Sequence, residues 1–389
     1  GYIYALAHED DVKILRWKER YDAIPEDTRD PNLIRAKKAL KKKKPSRRET
    51  VQYWSEAQFK QLQAAPPAKL YSKGSFPWRL LAYLLKLSPE VSRVRTVLRK
   101  RLMDEPRIVA QQRALDNMLL TLSVGGYITL EPPPPAPAAP PEPGVAAAPP
   151  APYVPLLATP TPALDRLLVF RSAHPLYGAF LIEQLGIADR DERLQAMESI
   201  LQVPRPLLRY LRVPYQESLP PGPLARNRLD EELIRRGLIL APVAEGDEDE
   251  EDNERDEFEE HPPALADKLR LLFDARYPEV TDVHTQSIWC AGELLRFGGN
   301  FNKFVQSKDL VKQEGIVFRH LLRLILLCGE FVQTTPTDTD PAAWQAELRE
   351  LSERLTESCR AVDPASTDEV IEQAHAADVV EGEIVAKGK

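Results

Sequence analysis

Residues 313–331 read Gln-Glu-Gly-Ile-Val-Phe-Arg-His-Leu-Leu-Arg-Leu-Ile-Leu-Leu-Cys-Gly-Glu-Phe, and no other stretch limits the fold as strongly. Ile316, Val317, Phe318, Leu321, Leu322, Leu324, Ile325, Leu326 and Leu327 leave only a narrow polar stripe. A helix that is apolar on almost every side must be covered by its neighbours, so the chain has to build a helical bundle around it. The stretch is too short and too charged to span a bilayer. Arg319 and Arg323 lie four apart and so share one helix face. An unpaired charge on a buried helix is costly, and each arginine needs a counter-ion. Two readings stay open. Internal carboxylates supply it, or the two guanidinium groups line a channel that holds nucleic-acid phosphates.

The rest of the chain divides around this helix, and 389 residues are enough for two or three domains. Residues 2–6 alternate like a strand and 10–18 like an amphipathic helix. A lone strand has nothing to pair with, so residues 1–25 read as the end of a domain whose body lies upstream. The chain starts at Gly1 and its only methionines are Met103, Met118 and Met197, which points to a piece of a longer protein. Residues 26–76 form a basic connector. Within it Arg35, Lys37, Lys38, Lys41, Lys42, Lys43, Lys44, Arg47 and Arg48 occur with no acid between residues 32 and 48. Such a run is a solvated, partly disordered connector, a sequence-blind grip on phosphates, or both. Tyr53, Trp54 and Phe59 follow, suited to stacking on bases or to docking on a neighbour.

Residues 77–131 carry three helical patterns, then Gly125-Gly126 and a short strand, the order of a winged helix. Arg93, Arg95, Arg99, Lys100 and Arg101 surround its second helix. A winged helix either binds nucleic acid or acts as a spacer inside a larger machine, and the spacer reading comes first. Residues 132–162 are almost all proline and alanine, an extended linker without a core. Helical patterning resumes over 163–244, an acidic insert expected to be disordered covers 245–262, and a second helical part covers 263–360. Its helices are expected at 265–273, 283–297 with Gly298-Gly299 as cap, around 301–305, at 313–331 and at 343–359. Residues 361–389 read as a polar tail.

Composition narrows the function. The net charge of -7 hides a basic first third and acidic later segments. Cys290, Cys328 and Cys359 are far apart and form no C-x-x-C, so their spacing indicates neither a disulfide framework nor a zinc site. A reducing, cytoplasmic setting fits, and neither a signal peptide nor a membrane span is evident. There is no P-loop. His8-Glu9-Asp10-Asp11 looks like a helicase acidic box but has no ATP-site partners in this chain. The six histidines show no H-E-x-x-H, and no G-x-S-x-G occurs. No catalytic centre emerges.

Two places resemble a known family. Gly1-Tyr2-Ile3-Tyr4-Ala5-Leu6-Ala7-His8 resembles the strand that follows the glutamine-glycine-arginine motif of the second RecA-like domain in superkiller-type DExH-box RNA helicases. Glu314-Gly315-Ile316-Val317-Phe318-Arg319-His320-Leu321-Leu322-Arg323-Leu324 resembles the glutamate-glycine stretch, with its following arginines, of that family's C-terminal helical domain. The resemblance implies a mainly α chain: the end of a RecA-like α/β domain, a winged helix and a C-terminal helical bundle, with disordered proline-rich and acidic inserts. It implies ATP-dependent RNA unwinding or turnover by the whole protein. ATP and magnesium would sit in upstream RecA-like domains, with no cofactor in this chain. Single-stranded RNA held irrespective of sequence and an RNA-degradation partner are the implied partners. Arg319 and Arg323 would face the strand or close the ring around it. The alternative is a non-enzymatic winged-helix nucleic-acid-binding or scaffold protein.

Overall fold

Apolar residues at helical spacing give helices through most of the chain. The computed structural model, which describes residues 8–49, 51, 53–66, 70–135, 153–240 and 263–373, is 62% helix and 3% strand, a mainly helical fold. The strand expected over residues 2–6, the acidic insert, most of the proline-alanine stretch and the end of the tail lie outside the described residues. Two compact units are present, Gly1–Leu70 and Tyr71–Lys389.

The first unit holds α1 (Glu9–Asp22), α2 (Pro31–Lys42) and α3 (Glu56–Ala64). The basic run is therefore largely helical rather than a disordered connector. Asp30 accepts from Asn32 N–H at the start of α2, and Pro31 supplies the fixed φ that suits a first helical residue. Neither α1 nor α2 buries a side chain completely. Polar bonds join them instead: Trp17 Nε1 donates to Leu40 O at 2.8 Å and Lys37 Nζ to Ile24 O at 2.7 Å. Arg47 pairs with Asp11 at 2.7 Å and Arg48 with Asp10 at 2.9 Å, so the acidic first turn of α1 neutralises the end of the basic run.

The second unit opens with α4 (Trp78–Leu87), α5 (Val91–Arg99), α6 (Glu105–Val124), β1 (Ile128–Glu131) and β2 (Leu157–Pro160). The two strands are antiparallel, with Ile128 opposite Pro160 and Glu131 opposite Leu157. Glu90, between α4 and α5, forms a further antiparallel bridge to Leu157. The expected linker 132–162 is thus too long at its C-terminal end. Residues 157–160 return as a strand because β1 otherwise leaves an unpaired edge, and Ala158 can bury its methyl group there.

Then follow α7 (Asp165–Val169), α8 (Pro175–Gln184), α9 (Arg190–Ser199), α10 (Arg205–Leu208), a π-helical turn at Ala225–Leu229 and α11 (Asp230–Arg235). The last part comprises α12 (Leu265–Arg276), α13 (Cys290–Arg296), α14 (Phe301–Ser307), α15 (Glu314–Val332) and α16 (Pro341–Arg360). The helix expected over 283–297 is only its second half. Residues 283–289 stay extended because their backbone finds partners across the bundle: Ile288 bridges Arg212, and Trp289 N–H donates to Leu211 O at 2.9 Å. Gly298 and Gly299 do cap α13, with φ of 65° and 77°. Residues 364–373 are helical rather than loose tail, held by Arg360–Asp368 at 2.8 Å and by Thr367, which is fully buried. α16 covers the bundle through Trp344, Leu348, Leu351 and Leu355, and Trp344 Nε1 donates to Phe331 O at 3.0 Å. Among the described residues one core runs from Phe76 to Cys359, so the winged-helix-like segment 77–131, read as a domain of its own, shares it with the two helical parts 163–244 and 263–360.

Candidate nucleic-acid interface

The long helix α15 buries Val317, Leu321, Leu324, Leu327 and Phe331. Its buried polar residues are His320 and Glu330, not the arginines. His320 Nε2 lies 3.1 Å from Glu198 Oε1 of α9. The same oxygen accepts from Cys290 N–H at 3.1 Å and Ala291 N–H at 2.7 Å, so it caps α13 from another element. The first N–H groups of a helix have no partner within it, and a buried carboxylate supplies one. Glu192, six residues earlier on α9, does the same for the π-helical turn, accepting from Leu224 N–H at 2.9 Å and Ala225 N–H at 2.8 Å. Glu330 accepts from Arg171 N–H, Ser172 N–H and Ser172 Oγ at 3.1, 2.9 and 2.7 Å. Burial pushes the Glu192 and Glu330 carboxyls above their ordinary value, and the donated backbone N–H groups oppose that rise. Three glutamates thus fix the position of α15 and its neighbours.

Arg319 and Arg323 are exposed, although Arg319 directly precedes the buried His320. Arg319 Nε donates to Gly315 O at 3.3 Å and Arg323 Nη1 to Gln202 O at 3.3 Å. Neither pairs with a carboxylate among the described residues, which removes the reading in which internal acids neutralise them. They need no such partner, because the polar stripe faces water.

The contact with Gln202 brings in residues that the sequence reading passed over. Arg205, Arg209 and Arg212 follow Gln202, all exposed, and residues 200–216 contain no acid. The Arg209 guanidinium lies over the Tyr210 ring, 4.5 Å from its centroid. No ion pair joins any of these three to a carboxylate among the described residues. The signal was present as three arginines in eight residues between prolines. Only the fold shows that this segment reaches α15, more than a hundred residues later.

The other candidates divide. Arg35, Lys38, Lys41 and Lys42 stand exposed on α2, whereas Lys37 is half-buried over the Tyr21 ring. At the end of α5, Arg99 and the following Lys100 are exposed. Arg93 pairs with Glu90 at 2.9 Å, and Arg95 pairs with Asp116 while donating to Gln112 at 2.8 Å. Arg93 and Arg95 are therefore already neutralised by carboxylates, and Arg95 is also only half-exposed. Tyr53 donates to Asp10 at 2.6 Å, while Trp54 stays open to solvent. A groove of about 970 Å³ between α15, α16 and residues 364–373 is lined by both signs, Arg349 and Arg360 with Glu353 and Glu357, and offers no field for phosphate.

The chemistry available is recognition of anions. Guanidinium groups on a rigid helix form paired, charge-assisted bonds to phosphate oxygens. The three cysteine thiols are poor nucleophiles here. Burial pushes Cys328 and Cys359 up to about 12, and Cys290 is raised well above its ordinary value. No protein-family model, curated protein or solved structure matches the chain. Among the described residues no helix is long and apolar enough to cross a membrane.

Proposed function

We propose that this chain is the RNA-engaging and ring-closing part of an ATP-dependent RNA helicase. In this reading it holds single-stranded RNA by its phosphates, and RecA-like domains with ATP and magnesium perform the hydrolysis. The exposure of Arg319 and Arg323 carries the reading: a helix largely buried by its neighbours presents to solvent two cations that pair with no carboxylate among the described residues, and Arg323 reaches Gln202, just ahead of the segment that carries Arg205, Arg209 and Arg212. The order helix, bridge, helix, helix, two antiparallel strands over residues 78–160 is compatible with a winged helix and supports the reading of a bracing element ahead of the bundle. The apolar residues that the first unit leaves exposed, among them Leu15, Ile34 and Trp54, suit docking on a neighbouring domain.

Phosphate contacts carry no sequence information, so binding should be weak, indifferent to sequence and sensitive to salt. Five arginine–phosphate contacts predict a slope of log affinity against log salt of about -3.5 for a single strand. Fluorescence anisotropy with labelled RNA oligomers of two unrelated sequences at several salt concentrations measures it. Strong preference for one sequence would favour the non-enzymatic winged-helix reader, and salt-independent binding would contradict phosphate recognition altogether.

A further inference from the structure

Glu198, Cys290 and His320 come from three helices, yet one donor atom from each lies within 4.8 Å of the other two. All three side chains are buried, with exposures of 0%, 0% and 2%. The described residues do not satisfy them fully: Glu198 Oε2 and His320 Nδ1 have no hydrogen-bond partner among them. Buried polar atoms without partners are rare, and each calls for a physical reason.

We propose that Glu198, Cys290 and His320 bind a single divalent cation of the zinc class. The donor set is one carboxylate oxygen, one sulfur and one imidazole nitrogen. This mixture suits zinc or cobalt and is unlike the all-oxygen shells of calcium and magnesium. Charge agrees. On binding, the Cys290 thiol loses its proton to solvent, and thiolate plus carboxylate carry two negative charges against the two positive charges of the ion. A neutral assembly results, the form that a dry interior tolerates. Spacing along the chain hides this group, because 92 residues separate Glu198 from Cys290 and 122 separate it from His320. The ion would clamp α9, α13 and α15 together, and it does not depend on the RNA reading.

The full chain, unfolded and refolded with cobalt(II) and then dialysed, provides the test. One cobalt ion per chain should remain by elemental mass spectrometry, with sulfur-to-cobalt charge-transfer absorption in the near ultraviolet. That absorption should vanish in Cys290→Ser and persist in Cys328→Ser, a buried cysteine outside the group. Cobalt-loaded wild type should melt above the same protein treated with chelator, a comparison that needs no variant to fold. A folded wild type that retains no metal, a chelator that leaves melting unchanged, or charge transfer that survives Cys290→Ser would each overturn the proposal.

Discussion

Arg319 and His320 are neighbours in sequence and opposites in environment. One helical step of about 100° takes the side chain from water to a fully buried carboxylate. The polar stripe carrying Arg319 and Arg323 was legible, because apolar residues occupy every other side. What the stripe could not show was its exposure, since the same pattern fits arginines paired inside a bundle. Nor could sequence show which polar residues go inside. Glu330 looks like an ordinary surface acid near a helix end, and its burial depends on Arg171 and Ser172, about 160 residues away. Its carboxyl is raised above 4.5 chiefly by burial. The folded protein therefore binds this proton more tightly than the unfolded chain. The stability that Glu330 contributes should fall as pH rises through the ordinary glutamate value toward the raised folded one. Urea melts from about pH 4 to about pH 8 should show this decline in the wild type and a shallower one in Glu330→Gln. Glu192, shifted the same way, leaves a residual slope. Equal slopes in the two proteins would contradict the assignment.

At the scale of elements, helices with a clear period were legible, and elements defined by distant partners were not. The three helices over residues 78–124 and the long helix α15 follow from their own apolar spacing. β2 was concealed inside a proline-alanine stretch, because a strand of four residues gains its identity from β1 some thirty residues earlier. α13 lost its first half to backbone bonds with Leu211 and Arg212, which no local pattern announces. Its start is also sterically fixed: a Cβ at Gly292 would lie 2.1 Å from the Trp289 indole. Gly292→Ala should therefore destabilise the protein by about 1–3 kcal/mol through forced repacking. Gly329→Ala is the internal control. It sits on the exposed side of α15 with no described residue within 4 Å of an added Cβ, and it should gain about 0.5–1 kcal/mol from reduced chain entropy. Thermal or denaturant melts of the pair should move in opposite directions, and a Gly292→Ala protein as stable as wild type would show that the indole is free to move aside.

For the whole molecule, net charge is a poor guide to partners. The total of -7 belongs to a chain whose basic residues are partly spent internally, as with Arg47, Arg48, Arg93 and Arg95, and partly exposed on α15 and in the segment 205–212. The part of this surface that sequence reading reached was Arg319 and Arg323. Arg205, Arg209 and Arg212 required the fold, because the hydrogen bond from Arg323 to Gln202 spans 121 residues. The account stands on this surface holding phosphate rather than holding the fold together. The most direct measurement is the pair of variants Arg319→Gln and Arg323→Gln, alone and combined, in the full chain, with melting temperature and single-stranded RNA affinity determined side by side. Exposed and without a carboxylate partner among the described residues, both should melt with the wild type. RNA affinity should fall about ten-fold or more for each lost charge-assisted contact, and the double variant should lose about 1.4 from the salt slope. Melting well below wild type, with unchanged affinity per folded molecule, would contradict the account and make the two arginines structural.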